Sequence, residues 1–297
     1  MDIAILGAPG CVGRHIIQKL LKNSNYKITA SYRTEEEIPK DLGHKNLVWK
    51  QVNLFDRKSA ENFLYKSDIL IYLIHSLGVK NFEQLDVKLA QETGQAALNA
   101  GIKKIIYLGG IVPENKKASP HLISRMKTGK ALASFGIPVA EVRASILLAK
   151  CSISFLIVYK LAKRLPVMIT PRWLNSLCSP IALEDAAFFI ESLIPKEIHG
   201  HEIFEIGAET IRYRDLISRC GEAIRATKNI IIPVPFFAIK MSALWIGLIT
   251  GVPNSIGIAL AEGLRSNTIP SRNRFREITG KDPTPINSVL KQLAEQM

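Results

Sequence analysis

Three glycines, Gly7, Gly10 and Gly13, follow the apolar run Ile3-Ala4-Ile5-Leu6 and open a segment whose apolar residues (Val12, Ile16, Ile17, Leu20, Leu21) have helical spacing. Between a strand and a helix, glycines so placed permit a tight turn and let the backbone approach a pyrophosphate. The helix N-terminus, here Cys11 and Val12, adds partial positive charge and free N–H donors. A purely structural turn is the alternative. Arg33 lies where an acidic residue, about 20 positions after such a turn, would bind the ribose hydroxyls of NAD. A guanidinium there suits a 2′-phosphate instead, so NADP (NADPH) is expected over NAD, although Glu35, Glu36 and Glu37 offer Arg33 other partners. Asp56 could accept from the adenine amine or cap the following helix. His121 and Arg125, spaced i,i+4, share one helical face: an imidazole exchanges protons near neutral pH, and a guanidinium stabilises charge or holds a ribose.

The elements that must position these residues alternate. Short β-rich runs (Ile3–Leu6, Ile28–Tyr32, Val48–Val52, Ile69–Ile74, Lys104–Leu108, Val139–Ala144) are separated by helical patterns (Cys11–Leu21, Lys58–Leu64, Phe82–Ala100, Ile123–Phe135). That order predicts an α/β fold: a Rossmann-type doubly wound parallel sheet with a smaller, mostly C-terminal substrate region. Residues 1–150 are expected to form the cofactor domain, with 181–194 returning to it, and 151–297 the substrate or accessory region. In an open sheet of this kind the ligand crevice borders the carboxyl ends of the strands. His75 and Ser76 fall there, as do Gly109 and Gly110, which leave room for a nicotinamide ring, and Arg143 and Ser145. Arg172 and Trp173 belong to a later loop that could close over an anionic or planar substrate.

Composition bounds the partners. With 297 residues, 47% hydrophobic and 22% charged, the chain has apolar side chain enough for a core and no disordered or fibrous signature. A net charge of +13 favours anionic partners. Its basic residues are dispersed without a nucleic-acid-binding motif, so no nucleic acid is expected. The four cysteines, Cys11, Cys151, Cys178 and Cys220, have neither disulfide-framework nor metal-ligand spacing. They are expected to be reduced packing residues, with no metal, in a cytoplasmic protein. The segment 230–252 is long enough to span a bilayer but carries Pro233, Pro235 and Lys240. It is expected to be a pocket helix or a peripheral membrane or protein-complex contact through Phe236, Phe237, Met241, Leu244, Trp245, Leu248 and Ile249, at the inner membrane face.

The motifs Gly7-Ala8-Pro9-Gly10-Cys11-Val12-Gly13, Tyr72-Leu73-Ile74-His75-Ser76-Leu77-Gly78 and Ile106-Tyr107-Leu108-Gly109-Gly110 resemble the NmrA-like, NAD(P)H-binding branch of the atypical short-chain dehydrogenase/reductases. His121-Leu122-Ile123-Ser124-Arg125, Val142-Arg143-Ala144-Ser145 and Arg164–Trp173 resemble one bacterial subgroup of it. The resemblance implies NADP(H) binding on a Rossmann-type domain. It leaves the small-molecule substrate open, because the branch holds reductases, redox-sensing regulators and accessory subunits of a respiratory complex. Where the wider superfamily presents Tyr-x-x-x-Lys, this chain has His121-x-x-x-Arg125, and the serine of the usual catalytic set is absent. Two functions follow as expectations. One is an NADP(H)-dependent oxidoreductase acting on a small carbonyl or quinone-like compound, with His121 as proton donor. The other is a non-catalytic NADP(H)-binding sensor or scaffold.

Overall fold

Strands apolar on both faces must be covered on both sides, and β1 (Asp2–Leu6) shows how the chain does it. Ile3 and Ile5 pack with one layer of the core, Ala4 and Leu6 with the other. The computed structural model describes residues 1–113, 118–234 and 247–297, the side chains of Arg172, Trp173 and Val234 excepted. The first half runs β1, α1 (Cys11–Leu20), β2 (Lys27–Tyr32), β3 (Leu47–Gln51), α2 (Arg57–Leu64), β4 (Ile69–Tyr72), α3 (Phe82–Asn99), β5 (Lys104–Gly110), α4 (Pro120–Ala133) and β6 (Val139–Ala144). Then come β7 (Leu147–Leu148), α5 (Ile153–Arg164), β8 (Val167–Pro171), β9 (Leu177–Cys178), β10 (Ile181–Ala182), α6 (Leu183–Leu193) and β11 (His201–Ile206). The described C-terminal part adds β12 (Ile211–Arg212), α7 (Tyr213–Arg225), β13 (Ile230–Val234) and helices Asn254–Gly263, Phe275–Thr279 and Ile286–Gln296.

The main sheet has seven parallel strands in the order β3-β2-β1-β4-β5-β6-β11. The α/β reading of the sequence is thereby borne out. Helix α6 packs against α1, and the pair covers one face, while α2, α3 and α4 cover the other. The seventh strand, His201-Glu-Ile-Phe-Glu-Ile, was not expected: its charged alternate positions hide it among loop residues, and it pairs with β6 in parallel register from His201↔Val139 to Ile206↔Ala144. A second core joins α5, α7, Asn254–Gly263 and Ile286–Gln296 through residues such as Phe155, Leu161, Ile217, Ala261 and Leu290.

Cys11 and Cys151 are not reduced packing residues but form a disulfide, with an S–S distance of 2.04 Å. Their separation of 140 residues conceals that the start of α1 and the loop before α5 meet in space. Cys178 and Cys220 are free and buried, as packing residues should be. Of 230–252, the start is β13, paired with β8, and residues 235–246, with Phe236, Phe237, Met241, Leu244 and Trp245, lie outside the described residues. Among the described residues no helix is long and apolar enough to cross a membrane.

Candidate cofactor and substrate site

The strand order reverses between β1 and β4, and the loops after these two strands open a crevice at their carboxyl ends. Gly7 turns the chain out of β1 at φ +82°, and a Cβ there would sit 3.2 Å from Leu73 after β4. Gly13 lets α1 lie on that turn: a Cβ would collide with the carbonyl oxygen of Ala8. Gly10 caps α1 without any side-chain bond, and the first turn carries no acid. The leading N–H groups of α1, beginning at Cys11 and Val12, are therefore left without intrahelical partners, in the positive end of the helix dipole. This is a cradle that side chains would fill and that an anion such as a pyrophosphate suits.

Two cavities meet at this turn and share Gly7, Gly10, Leu73, His75 and Leu77. The one above β2 and β3, of about 1030 Å³, is lined by Arg14, Ser31, Tyr32, Arg33, Asn53 and Phe55, among others. The Ser31 hydroxyl accepts the Gly7 N–H at 3.1 Å, which ties the end of β2 to the turn. Arg33, with 84% of its side chain exposed, donates from Nε and Nη2 to Glu37 Oε1 at 2.9 and 2.6 Å. Arg14 is a second cation at this cavity, held by a bond from Nε to the Pro9 carbonyl at 2.8 Å. Its sequence signal is a base directly after the third glycine. Asp56 accepts the Lys58 N–H at 3.1 Å as the cap of α2, and the residues before it, Asn53 to Phe55, form the wall.

The second cavity, of about 800 Å³, extends from the glycine turn towards the second core. Gly109, Gly110 and Ser145 line it at the ends of β5 and β6, and Ser145 Oγ lies 2.7 Å from Thr268 Oγ1. His121 and Arg125 both line it from the first turns of α4, which starts at Pro120 with Ser119 as its cap. Arg125 Nη1 donates to the Leu108 carbonyl at 2.9 Å, and among the described residues no carboxylate lies within ion-pair distance of it. Its charge acts on two neighbouring imidazoles. The guanidinium, followed by burial and by His121, lowers the His75 pKa to about 3. Burial first, then Arg125, lowers that of His121 to about 4. His75 keeps an edge exposed along the cavity even though protein surrounds the ring. Both imidazoles are neutral at physiological pH.

A buried acid that the sequence reading passed over organises this corner. Asp86 of α3, 4% exposed, accepts the Ser76 N–H at 2.7 Å and the Ser124 hydroxyl at 3.2 Å. It thereby fixes the loop carrying His75 and Ser76 against the helix carrying His121. An acid in the apolar stripe between Leu85 and Leu89 was the available signal. Below it, Tyr107 donates to the Arg125 carbonyl at 3.0 Å, and burial raises its phenol to about 12.

Arg143 is not among the cavity-lining residues. It pairs with the fully buried Glu141, Nε to Oε1 at 2.6 Å, while His201 Nε2 lies 2.7 Å from the other carboxylate oxygen. Arg172 and Trp173 occupy a short 3₁₀ turn (Arg172–Asn175) whose flanking Pro171 and Leu174 line the cavity; their side chains lie outside the described residues. The disulfide between Cys11 and Cys151 is part of the cavity wall.

Residues 7–147 match the model of the NAD(P)H-binding family. Over these residues the chain is similar to that family. The fold of the whole chain is shared with solved structures at low identity. Triphenylmethane reductase of Citrobacter sp. is 18% identical with a TM-score of 0.80, over 99% of this chain and 100% of the other. An NADPH-dependent quinone oxidoreductase of Escherichia coli, complexed with NADPH, is 18% identical with a TM-score of 0.79, over 98% and 99%. A nucleoside-diphosphate-sugar epimerase of Staphylococcus aureus is 18% identical with a TM-score of 0.79, over 98% and 100%. No curated protein sequence matches the chain.

Proposed function

We propose that this protein is an NADP(H)-dependent oxidoreductase that reduces a quinone-like or other conjugated apolar acceptor. One observation carries the reading: the anion cradle of Gly7, Gly10 and Gly13 opens directly into an apolar cavity whose polar residues at that mouth include a neutral His121 and the cation Arg125. Bound NADPH would supply a hydride. The glycine turn and the α1 N-terminus would hold the pyrophosphate, and Arg33 and Arg14, both lining the cavity beyond β2, would offer charge to a 2′-phosphate, which favours NADP over NAD.

The chain's own residues handle the charge that develops on the acceptor. His121 Nδ1 lies 3.4 Å from Ser119 Oγ; with the hydroxyl as donor the ring proton stays on Nε2, available to an acceptor oxygen. With a pKa of about 4, His121 is a neutral hydrogen-bond donor and not the imidazolium acid that its sequence position suggests. Arg125 adds positive charge in a cavity whose apolar walls exclude water, where such charge counts for more than in solution. The reductases of the same fold, one for triphenylmethane dyes and one for quinones, make these acceptor classes the first to try. The test is NADPH consumption, followed at its absorbance maximum, with a panel of benzoquinones and triphenylmethane dyes beside calorimetric titration of NADPH. Turnover with either class supports the reading; tight binding without turnover counts against it and favours a sensor or scaffold.

A further inference from the structure

The cavity of about 800 Å³ runs from the glycine turn past the strand ends and on between the helices of the second core. The basic side chains His75, His121 and Arg125, with Ser145 and Thr268, come from the strand ends, α4 and the segment after Asn254–Gly263; Ser152, Ser154, Thr170 and Tyr213 are further polar residues of the lining. Beyond them the wall is built by α5, β8, α7 and Asn254–Gly263, through Ile157, Leu161, Met168, Ile217, Leu260 and Leu264. These residues belong to the second core, so the cavity enters that core instead of lying on its surface. Two sides of the wall are pinned: Arg225 donates to the Ala162 carbonyl at the end of α5, and Asn229 Nδ2 to the Ala162 and Leu165 carbonyls at 2.9 and 2.6 Å. A core that keeps such a space between pinned elements forgoes the close packing usual in interiors. A ligand that matches it must bring carbon.

We propose that the substrate is an amphiphile, a reducible polar head carrying a long alkyl or isoprenoid-like tail, with the head at His121 and Arg125 and the tail between α5, β8, α7 and Asn254–Gly263. This rests on the oxidoreductase reading and adds the substrate class. The polar mouth and the apolar interior select opposite ends of such a molecule, which fixes its orientation. Val167 and Ile169, cavity residues of β8 that are 53% and 54% exposed, give the chamber an apolar rim through which a tail can enter.

The experiment uses the full chain and a series of benzoquinones that share one ring and differ in an n-alkyl substituent from methyl to decyl, each below its micelle concentration. Two quantities are read: kcat/KM for NADPH oxidation, and displacement of cis-parinaric acid, a long-chain fluorophore, by each compound. A fully buried methylene is worth up to about fourfold in affinity. Displacement should therefore strengthen at least thirtyfold between the methyl and heptyl compounds, with kcat/KM following. Leu161→Trp and Leu260→Trp, each narrowing the chamber, should flatten the dependence of displacement and of kcat/KM on tail length; a variant that fails to fold leaves the wild-type series to decide. Turnover that ignores tail length, with no parinaric acid bound, overturns the amphiphile and leaves the reductase standing. Length-dependent displacement without turnover of any quinone keeps the chamber's ligand class and sinks the reductase.

Discussion

The guanidinium of Arg33 and the carboxylate of Glu37, one helical turn apart, hold each other through two bonds to Glu37 Oε1 at 2.9 and 2.6 Å, while Glu37 Oε2 accepts the Arg33 N–H at 2.9 Å. The cation proposed for the 2′-phosphate thus waits in position, already paired. Exposed as it is, the pair contributes no more than about 1 kcal/mol, and a phosphate can compete for it. NADPH should bind at least tenfold more tightly than NADH, since a charge-assisted bond is worth about 1.5 to 3 kcal/mol. Arg33→Ala should remove most of that preference, and Glu37→Gln should strengthen NADPH binding by a few-fold. Calorimetric titration of both cofactors decides, and an Arg33→Ala variant with its preference intact contradicts the assignment.

The two lowered histidines set a pH signature. In the unfolded chain His75 and His121 take up protons near pH 6.5, whereas in the fold they do so only near 3 and 4. Between those limits the unfolded state binds more protons, so stability is full above about pH 6.5 and falls as pH drops towards 4. The wild-type Tm should decline across that window, and His121→Gln should decline less. Turnover should show no histidine limb near pH 6.5. His121→Leu, which removes the neutral donor, should lower kcat at least tenfold with NADPH affinity nearly unchanged.

Asp86 should matter more than its distance from the cavity suggests. Removing the carboxylate strands the part-buried Ser76 N–H and the buried Ser124 hydroxyl. Asp86→Ala should cost about 2 to 4 kcal/mol in urea unfolding, with turnover falling further as His75 and His121 lose their relative position. A loss below 1 kcal/mol would show that the loop does not depend on this anchor.

What the sequence made legible followed from local pattern. Glycine spacing after β1, apolar runs at β1, β4 and β5, and the i,i+4 pair His121 and Arg125 each express a rule confined to a few neighbouring residues. Relations across the chain were not legible. The strand His201–Ile206 joins β6 because α6 first returns to α1, and nothing in its charged alternation says so. Arg143 meets Glu141 two residues away on the same strand face and faces that carboxylate instead of the crevice. The apolar chamber assembles from α5, α7 and Asn254–Gly263, whose residues read as ordinary core when taken one helix at a time.

The cysteine pair gives a prediction of its own. Two free thiols, Cys178 and Cys220, should titrate in denaturant before reduction, and four after it. Closing a loop of 140 residues restrains the unfolded chain by up to about 5 kcal/mol. Reduction, or Cys151→Ser, should therefore lower Tm by roughly 5 °C or more. Four thiols in the untreated protein would contradict the bond.

The central claim is that hydride leaves NADPH held by the Gly7–Gly13 turn for an acceptor in the cavity beside His121 and Arg125. The most direct measurement is anaerobic turnover of a quinone with NADPH deuterated at one or the other C4 position. A fixed cofactor pose facing one cavity predicts a primary isotope effect from a single C4 diastereomer and none from the other. Tight NADPH binding with no oxidation by any acceptor, or equal effects from both diastereomers, would contradict it.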